Sequence, residues 1–596
     1  MKKLKLLIFI LGICLLSLLL LGCKGTEVTI GENGNWFLDG VDSGVSAKGE
    51  KGADAVAPQL RINSTTNEWE ISTDGGETWT STGVKATGGT ASGGTTSGGT
   101  TSGGSTSGGT TSGGSTAGGS SSGGTTSGEA ASTDNPHGFE FLSITANTYG
   151  IKAGDALYLE EIVIPSTYQG KAVTQILPDG FASATNLKKL TLPASIEKIG
   201  TGAFSGCSAL ESVYISNLDA WLGIEFENGL ANPLYNTADL YLNNSKLTAL
   251  TLPATLTSLG NWAFYGCTSL QSVTFAQGAQ LSEIGNSAFA KCTALRSISF
   301  PSSLTTIGNS AFGSCTALQA ITIPANVTSL GMDAFYNCTA VTTLHFLATA
   351  LSTPDDACPP FSNLGLNTTG VTVHIGAGVT KIPDYLFKAD TTVLRSNKIT
   401  NVIFADNSLC TEIGFEAFKR CTALTTVDFG TNSRLATIGA YAFHGCAALG
   451  SIALPATVTL IEMYAFANCS ELDTVSFAAG SQLETIEKAA FYYCEGLTSI
   501  ALPGTALTEI GETAFSYCKL LTSITIPATV TTIGKSAFAY CNTLSSAVFG
   551  AKTGWSVSSS YGSPLSIPST DLSDTATAAT YLREDYDYYT WTRTAS

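Results

Sequence analysis

The chain has 596 residues, with 46 acidic against 29 basic side chains and a formal charge of −17. That balance excludes a nucleic-acid partner, because neutralising phosphates requires clustered Lys and Arg. The four histidines are widely scattered, so spacing assembles no His-centred catalytic group.

At the N-terminus, Lys2, Lys3 and Lys5 precede an apolar run from Leu6 to Leu21. This has the layout of a secretory signal over residues 1–22. The ending Leu20-Leu21-Gly22-Cys23 resembles a bacterial lipobox, although Leu21 stands where Ala or Ser is commoner. The resemblance implies cleavage before Cys23 and acylation of its thiol, with a plain signal peptide or an uncleaved anchor as the alternative. Acyl chains contribute roughly 0.8 kcal/mol per buried methylene, enough in combination for firm membrane attachment. The expected location is the bacterial cell envelope, lipid-anchored and exposed at the outer-membrane surface.

Residues 23–87 read as a small β-hairpin module. Two runs, NGNWFLDGVDSGV and TNEWEISTDGGETWTSTGV, alternate apolar and polar residues around Asp-Gly, a strong turn signal. The second resembles the Asp-box hairpin of sialidase propellers, but this segment is far too short to supply the other blades of such an enzyme. From Gly88 to Ser127 follow eight pentads of the form Gly-Gly-Ser/Thr-x-Ser/Ala. Nothing in them can bury enough surface to offset chain entropy. Residues 88–133 are therefore expected to be a disordered, flexible linker with a root-mean-square span of roughly 35 Å.

Residues 134–550 carry a repeat. Ala-Phe-x-x-Cys recurs with its cysteine at 207, 267, 292, 315, 338, 421, 446, 469, 494, 518 and 541, which accounts for eleven of the fifteen cysteines. Degenerate copies place Ala184 and Asp390 in the cysteine slot. A period in this range means stacked coils. One coil reads Leu318, Ile321, Ile323, Pro324, Val327, Leu330, Gly331, Ala334, Phe335, Cys338. Its Leu-x-x-Ile-x-Ile segment alternates at period two, as a short strand with one face inward. Pro324 ends the strand, and Gly331 is expected to permit a sharp bend. Cysteine spacings of 25, 24 and 23 differ only in the turn after the strand, so one edge of the stack tolerates insertion. Irregular stretches at 216–247 and 347–401 still contain strand-like DLYL and VTVHI, and are expected to be coils with enlarged loops. Residues 551–596 break the pattern, with a helix expected from Ser569 to Ser573 onwards and a terminal aromatic strand. They form the lid that covers the last coil.

The repeat cysteines form a column pointing into the core beside Phe, so they are read as buried thiols acting as small hydrophobes. No two are closer than 23 residues, which disfavours a metal cluster. No catalytic residue, metal site or cofactor is expected. The outward strand positions are more informative: Thr274, Ser299, Thr322, His345, Asp428, Ser476 and Thr525 lie in one row as candidate ligand contacts. Such a hydroxyl-rich face suits many weak hydrogen bonds to an extended partner rather than a reaction.

Strings such as LTSITIPATVTTIGKSAFAYC, from Leu521 to Cys541, resemble the BspA-like or treponemal-type leucine-rich repeats of bacterial surface proteins. The resemblance covers about 400 residues. It implies a β-rich α/β fold, a right-handed leucine-rich-repeat solenoid with short parallel strands. It also implies adhesion to host matrix, coaggregation, or another contact with a host or bacterial surface protein or glycan, and no enzymatic site. The alternative is an envelope scaffold or nutrient-capture component that binds a partner protein of the same cell.

Overall fold

In a computed structural model, the described residues are 135–594, apart from 136, 355, 390–395 and 560–562, together with six short strands between residues 28 and 85. The signal segment, Cys23, the Gly/Ser/Thr-rich stretch and Asp390 lie outside them. Residues up to Thr125 and from Thr126 onwards form two separate units. In the first, Asn35–Leu38 pairs antiparallel with Val41–Ser46, and Glu68–Ser72 with Thr80–Lys85. Val28–Ile30 and Gln59–Ile62 complete a three-stranded sheet in each case. These are the two expected hairpins.

The second unit is a parallel-strand solenoid. Each regular coil contributes one strand of two to six residues to a face sheet, such as Ser272–Phe275, Ala320–Ile323, Thr343–Phe346, Val371–Ile375 and Ile399–Phe404. Neighbouring face strands pair parallel and in register, Ile321 with Leu344 and Leu344 with Val373. Their alternate residues are buried and exposed, which follows from the period-two side-chain geometry of a strand.

A second sheet, absent from the sequence reading, forms on the return leg from two-residue strands such as Glu283–Ile284, Thr306–Ile307 and Ser329–Leu330. Among the described residues only Leu218–Leu222 and Thr575–Thr580 are α-helical. The glycine that follows these short strands does a different job from the one expected. Gly331 is not in the left-handed region; instead, a Cβ on it would lie 2.4 Å from Asn309 N and 2.5 Å from Gly308 C. Its missing side chain lets adjacent backbones touch.

The Ala-Phe-x-x-Cys segment forms a third contact between coils. Ser287, Phe289 and Lys291 donate their N–H groups to Asn309, Ala311 and Gly313 of the next coil, while Ala290 and Cys292 donate back within their own turn. Every polar group in this buried backbone thus has a partner, as burial demands. The alternation requires left-handed residues on either side of the phenylalanine, for example Ser287 at φ 52° and Lys291 at φ 62°.

The phenylalanines stack from Phe264 to Phe538 with ring centroids 5.1 to 5.6 Å apart. The second irregular stretch keeps the stack through Phe361, which with Leu364 forms a coil the cysteine pattern hides; the first interrupts it, and there Tyr235 stacks on Tyr265. Both stretches are coils with enlarged loops: DLYL and VTVHI are both face strands.

The cysteines do more than fill space. In ten of the eleven repeats, the thiol donates to the carbonyl of the phenylalanine one coil earlier, at 3.1 to 3.4 Å. That oxygen also accepts the N–H of its own coil's cysteine, as Phe418 does from Cys421 N at 3.1 Å and Cys446 Sγ at 3.2 Å. Cys267 is the exception: it faces the irregular coil, and its thiol lies 3.9 Å from Ser269 Oγ. Cys410 forms no disulfide, so it does not pair with Cys358. Cys446→Ala, which loses this bond and the sulfur's packing, is expected to destabilise the protein by about 1–3 kcal/mol in urea unfolding. An unchanged midpoint would reduce the thiol to filler.

Both ends of the return-leg sheet are closed by strands running the other way. Glu140–Thr145 pairs antiparallel with Thr148–Lys152. At the far end, Thr590–Arg593 pairs antiparallel with both Thr532–Ile533 and Trp555–Ser558. There Trp555, Trp591, Leu572 and Leu582 are buried over the last coil, and the helix Thr575–Thr580 begins close to where the sequence places it.

Candidate functional site

The face strands, in three successive sheets from Ala249 to Phe549, present their outward residues in rows set by the strand register. Thr251 lies opposite Thr274, Thr322 opposite His345, His345 opposite His374, Ile403 opposite Asp428 and Ala453 opposite Ser476. Thr525 lies opposite Val548. Ser299 continues the row from Thr274, one residue beyond the Val273–Ile298 pair. Six of the seven predicted positions are exposed, and His345 is half-buried. The row is interrupted by Ala453 and by apolar Ile403 and Val548, so its C-terminal part is less hydroxylated than the list of candidates implied.

Two candidates have local roles. Thr274 Oγ1 lies 3.0 Å from Thr251 Oγ1, and Asp428 Oδ1 accepts the Gly430 N–H at 2.9 Å, fixing its own turn. Sequence reasoning missed the partner of His345. His374, 29 residues on, stacks against it with ring centroids 4.8 Å apart and planes at 15°. Burial pushes the His374 imidazole below its ordinary value, and the charge of a protonated His345 pushes it further in the same direction. The enlarged loop between the two strands hides this pairing from spacing.

Asp428 and Ser476 also line a groove of about 510 Å³, with Phe429, Asn432, Pro455 and Phe477. Its origin is legible in the cysteine spacings of 25, 23 and 25 around Cys446 and Cys469. A coil with a short exit turn lies between two with long ones, and leaves a notch. Here a partner side chain can reach both apolar wall and polar rim, the composition usual for binding sites.

Several repeat thiols are held in their neutral form. Burial pushes the Cys338, Cys421 and Cys469 thiols up to about 12, so thiolate for nucleophilic or metal chemistry is negligible near neutrality. His444 is half-buried, with Nε2 3.1 Å from Asn468 Nδ2 and a buried, unpartnered Nδ1. Among the described residues, no group of three or more His, Cys, Asp or Glu is arranged to hold a metal ion. Among the same residues, no helix is long and apolar enough to cross a membrane.

No curated protein matches the chain. Solved structures similar to it include a leucine-rich repeat protein from Bacteroides ovatus, 23% identical over 69% of this chain and 92% of that one, with a TM-score of 0.47. A leucine-rich cell surface protein from Faecalibacterium prausnitzii is 21% identical over 57% and 93%, with a TM-score of 0.28. A leucine-rich repeat protein from Eubacterium ventriosum is 21% identical over 55% and 92%, with a TM-score of 0.30. The profile of the BspA type leucine rich repeat region matches residues 154–225, 238–367, 278–393, 380–482 and 474–561, more than half of the chain. Leucine-rich-repeat solenoids of this kind are non-catalytic protein-interaction scaffolds, and the chain belongs to the BspA-type leucine-rich repeat family.

Proposed function

We propose that this protein is a lipid-anchored bacterial surface protein whose solenoid face binds a protein or glycan on a host or bacterial surface. Acylation of Cys23 would hold it in the envelope, and the Gly/Ser/Thr-rich stretch would carry the solenoid clear of the membrane. The observation that carries the reading is the outward residues of successive parallel face strands, in register from Thr251 to Thr274, from Thr322 to Asp428 and from Ala453 to Ser476, with the groove at Asp428 and Ser476 beside them. Many copies tethered on one surface would gain avidity from effective concentration, so weak single contacts suffice.

The test is binding of the purified protein to an array of matrix proteins, glycans and whole bacterial cells. It is run beside a variant carrying Thr274→Lys, Ser299→Lys and Thr322→Lys. The expected outcome is saturable binding, weakened at least about tenfold in the variant. Folded protein that binds none of these, but captures one stable partner from its own envelope, would replace adhesion with scaffolding.

A further inference from the structure

The left-handed positions that flank each phenylalanine are filled unevenly along the solenoid. In the N-terminal coils they hold one aromatic residue, Trp262, and otherwise residues such as Ser287, Lys291, Ser310 and Asn337. In the C-terminal half, six are tyrosine: Tyr385, Tyr441, Tyr464, Tyr493, Tyr517 and Tyr540, with φ between 56° and 63°. Left-handed backbone disfavours a bulky side chain, and glycine or asparagine is the ordinary occupant. Gly266 and Asn468 serve the position two residues after the phenylalanine in sister coils, and Ser287 and Ser310 the position two before it, so the fold requires an aromatic ring at neither. Strain maintained against an available alternative points to a use outside the fold.

The rings form one seam along the turn edge. Tyr385 meets Phe415, Phe415 meets Tyr441, and Tyr441 stacks on Tyr464 at 4.8 Å. Tyr492 joins Tyr464 edge-on to a tighter stack, Tyr493 on Tyr517 at 4.2 Å and Tyr517 on Tyr540 at 4.3 Å. Tyr540 is 48% exposed, and the cap adds Tyr588, 66% exposed. Loss of solvent contact, then the flanking phenols of Tyr493 and Tyr540, push the Tyr517 hydroxyl up to about 12, so the stack stays uncharged. The ion pairs Lys519–Glu495 and Lys488–Glu512 in the same coils are internally neutralised.

A surface of ring edges and neutral hydroxyls suits a polymer that itself alternates C–H and O–H groups, and the Asp587 carboxylate beside Tyr588 disfavours an anionic one. We infer that the tyrosine seam from Tyr464 to Tyr588 is a binding site for a neutral polysaccharide, on an edge separate from the strand face. Tyrosine suits this task because its ring supplies contact area at little entropy cost and its hydroxyl exchanges hydrogen bonds with a sugar.

The experiment is affinity electrophoresis of the full-length protein in gels containing a soluble α-glucan, a β-glucan or a mannan. The test variant carries Tyr493→Asn, Tyr517→Asn and Tyr540→Asn, asparagine being a natural occupant of this position. Expected are retardation by at least one polysaccharide, an apparent affinity at least about tenfold weaker in the variant, and a melting temperature that does not fall. The three-lysine strand-face variant should be retarded like the parent, which separates this site from the one proposed above. Failure of all three polysaccharides to retard the parent, or retardation that survives the asparagine variant, overturns the inference. So does a seam that captures a matrix protein and no polysaccharide.

Discussion

Phe443→Ala is expected to destabilise the solenoid by about 3–5 kcal/mol, the range for removing a buried aromatic side chain. Phe443 is fully buried, and its ring stacks on Phe418 and on Phe466 with centroids 5.3 Å apart on both sides and planes within 3°. Its removal therefore opens a cavity at two interfaces at once. In a stack where each coil contacts mainly its neighbours, weakening two adjacent interfaces uncouples the halves on either side. Denaturant unfolding should split from one transition into two, with the amides of the coils around Phe418 and Phe466 losing exchange protection first. A single transition shifted by less than about 1 kcal/mol would mean that the ladder is ornamental and that the backbone contacts carry the stack.

The second large effect is expected from Gly331→Val. Its Cβ would lie 2.4 Å from Asn309 N and 2.5 Å from Gly308 C, both backbone atoms with no rotamer to yield. Gly331 N also donates to Ile307 O at 2.8 Å, so relieving the clash by separating the coils breaks that bond. A loss of about 1–3 kcal/mol is expected, the range of overpacking costs; Glu462 and Glu487 fill the equivalent position in two sister coils with that bond kept at 2.9 Å, so the coils yield in part. Gly450→Ala is the control, because a Cβ there meets nothing within 4 Å and the backbone is not left-handed. Equal melting temperatures for the two variants would refute the close-approach account.

Much of this architecture was readable because it is written at long period. The Ala-Phe-x-x-Cys string marks eleven coils, the Leu-x-x-Ile-x-Ile alternation marks the inward face, and the change of composition after Gly550 marks the lid. What stayed hidden had no period to betray it. Two-residue strands such as Thr306–Ile307 are too short to alternate, so the second sheet emerges only when coils are laid side by side. The coil at Phe361 has Leu364 where its sisters have cysteine. For the candidate site, the row of outward residues followed from strand alternation. The His345–His374 pair and the notch at Pro455 depend instead on which coils become neighbours and on how far their turns project. The tyrosine seam was least legible of all, because its argument rests on φ, which one residue type at a time does not disclose.

The reversed strands at the two ends bear on how such molecules behave when crowded. A stack of parallel strands is a template: its last open rung specifies the direction and spacing of the next, and a neighbouring copy could supply it. In the return-leg sheet Glu140–Thr145 and Thr590–Arg593 answer that template with a strand of opposite polarity, as a chain terminator ends a growing polymer, while the last face strand, Ser546–Phe549, is packed by the helix Thr575–Thr580. An incoming coil of another copy then finds a partner running the wrong way. The repeat can thus be long and regular inside one molecule, and densely displayed, without propagating from one molecule to the next.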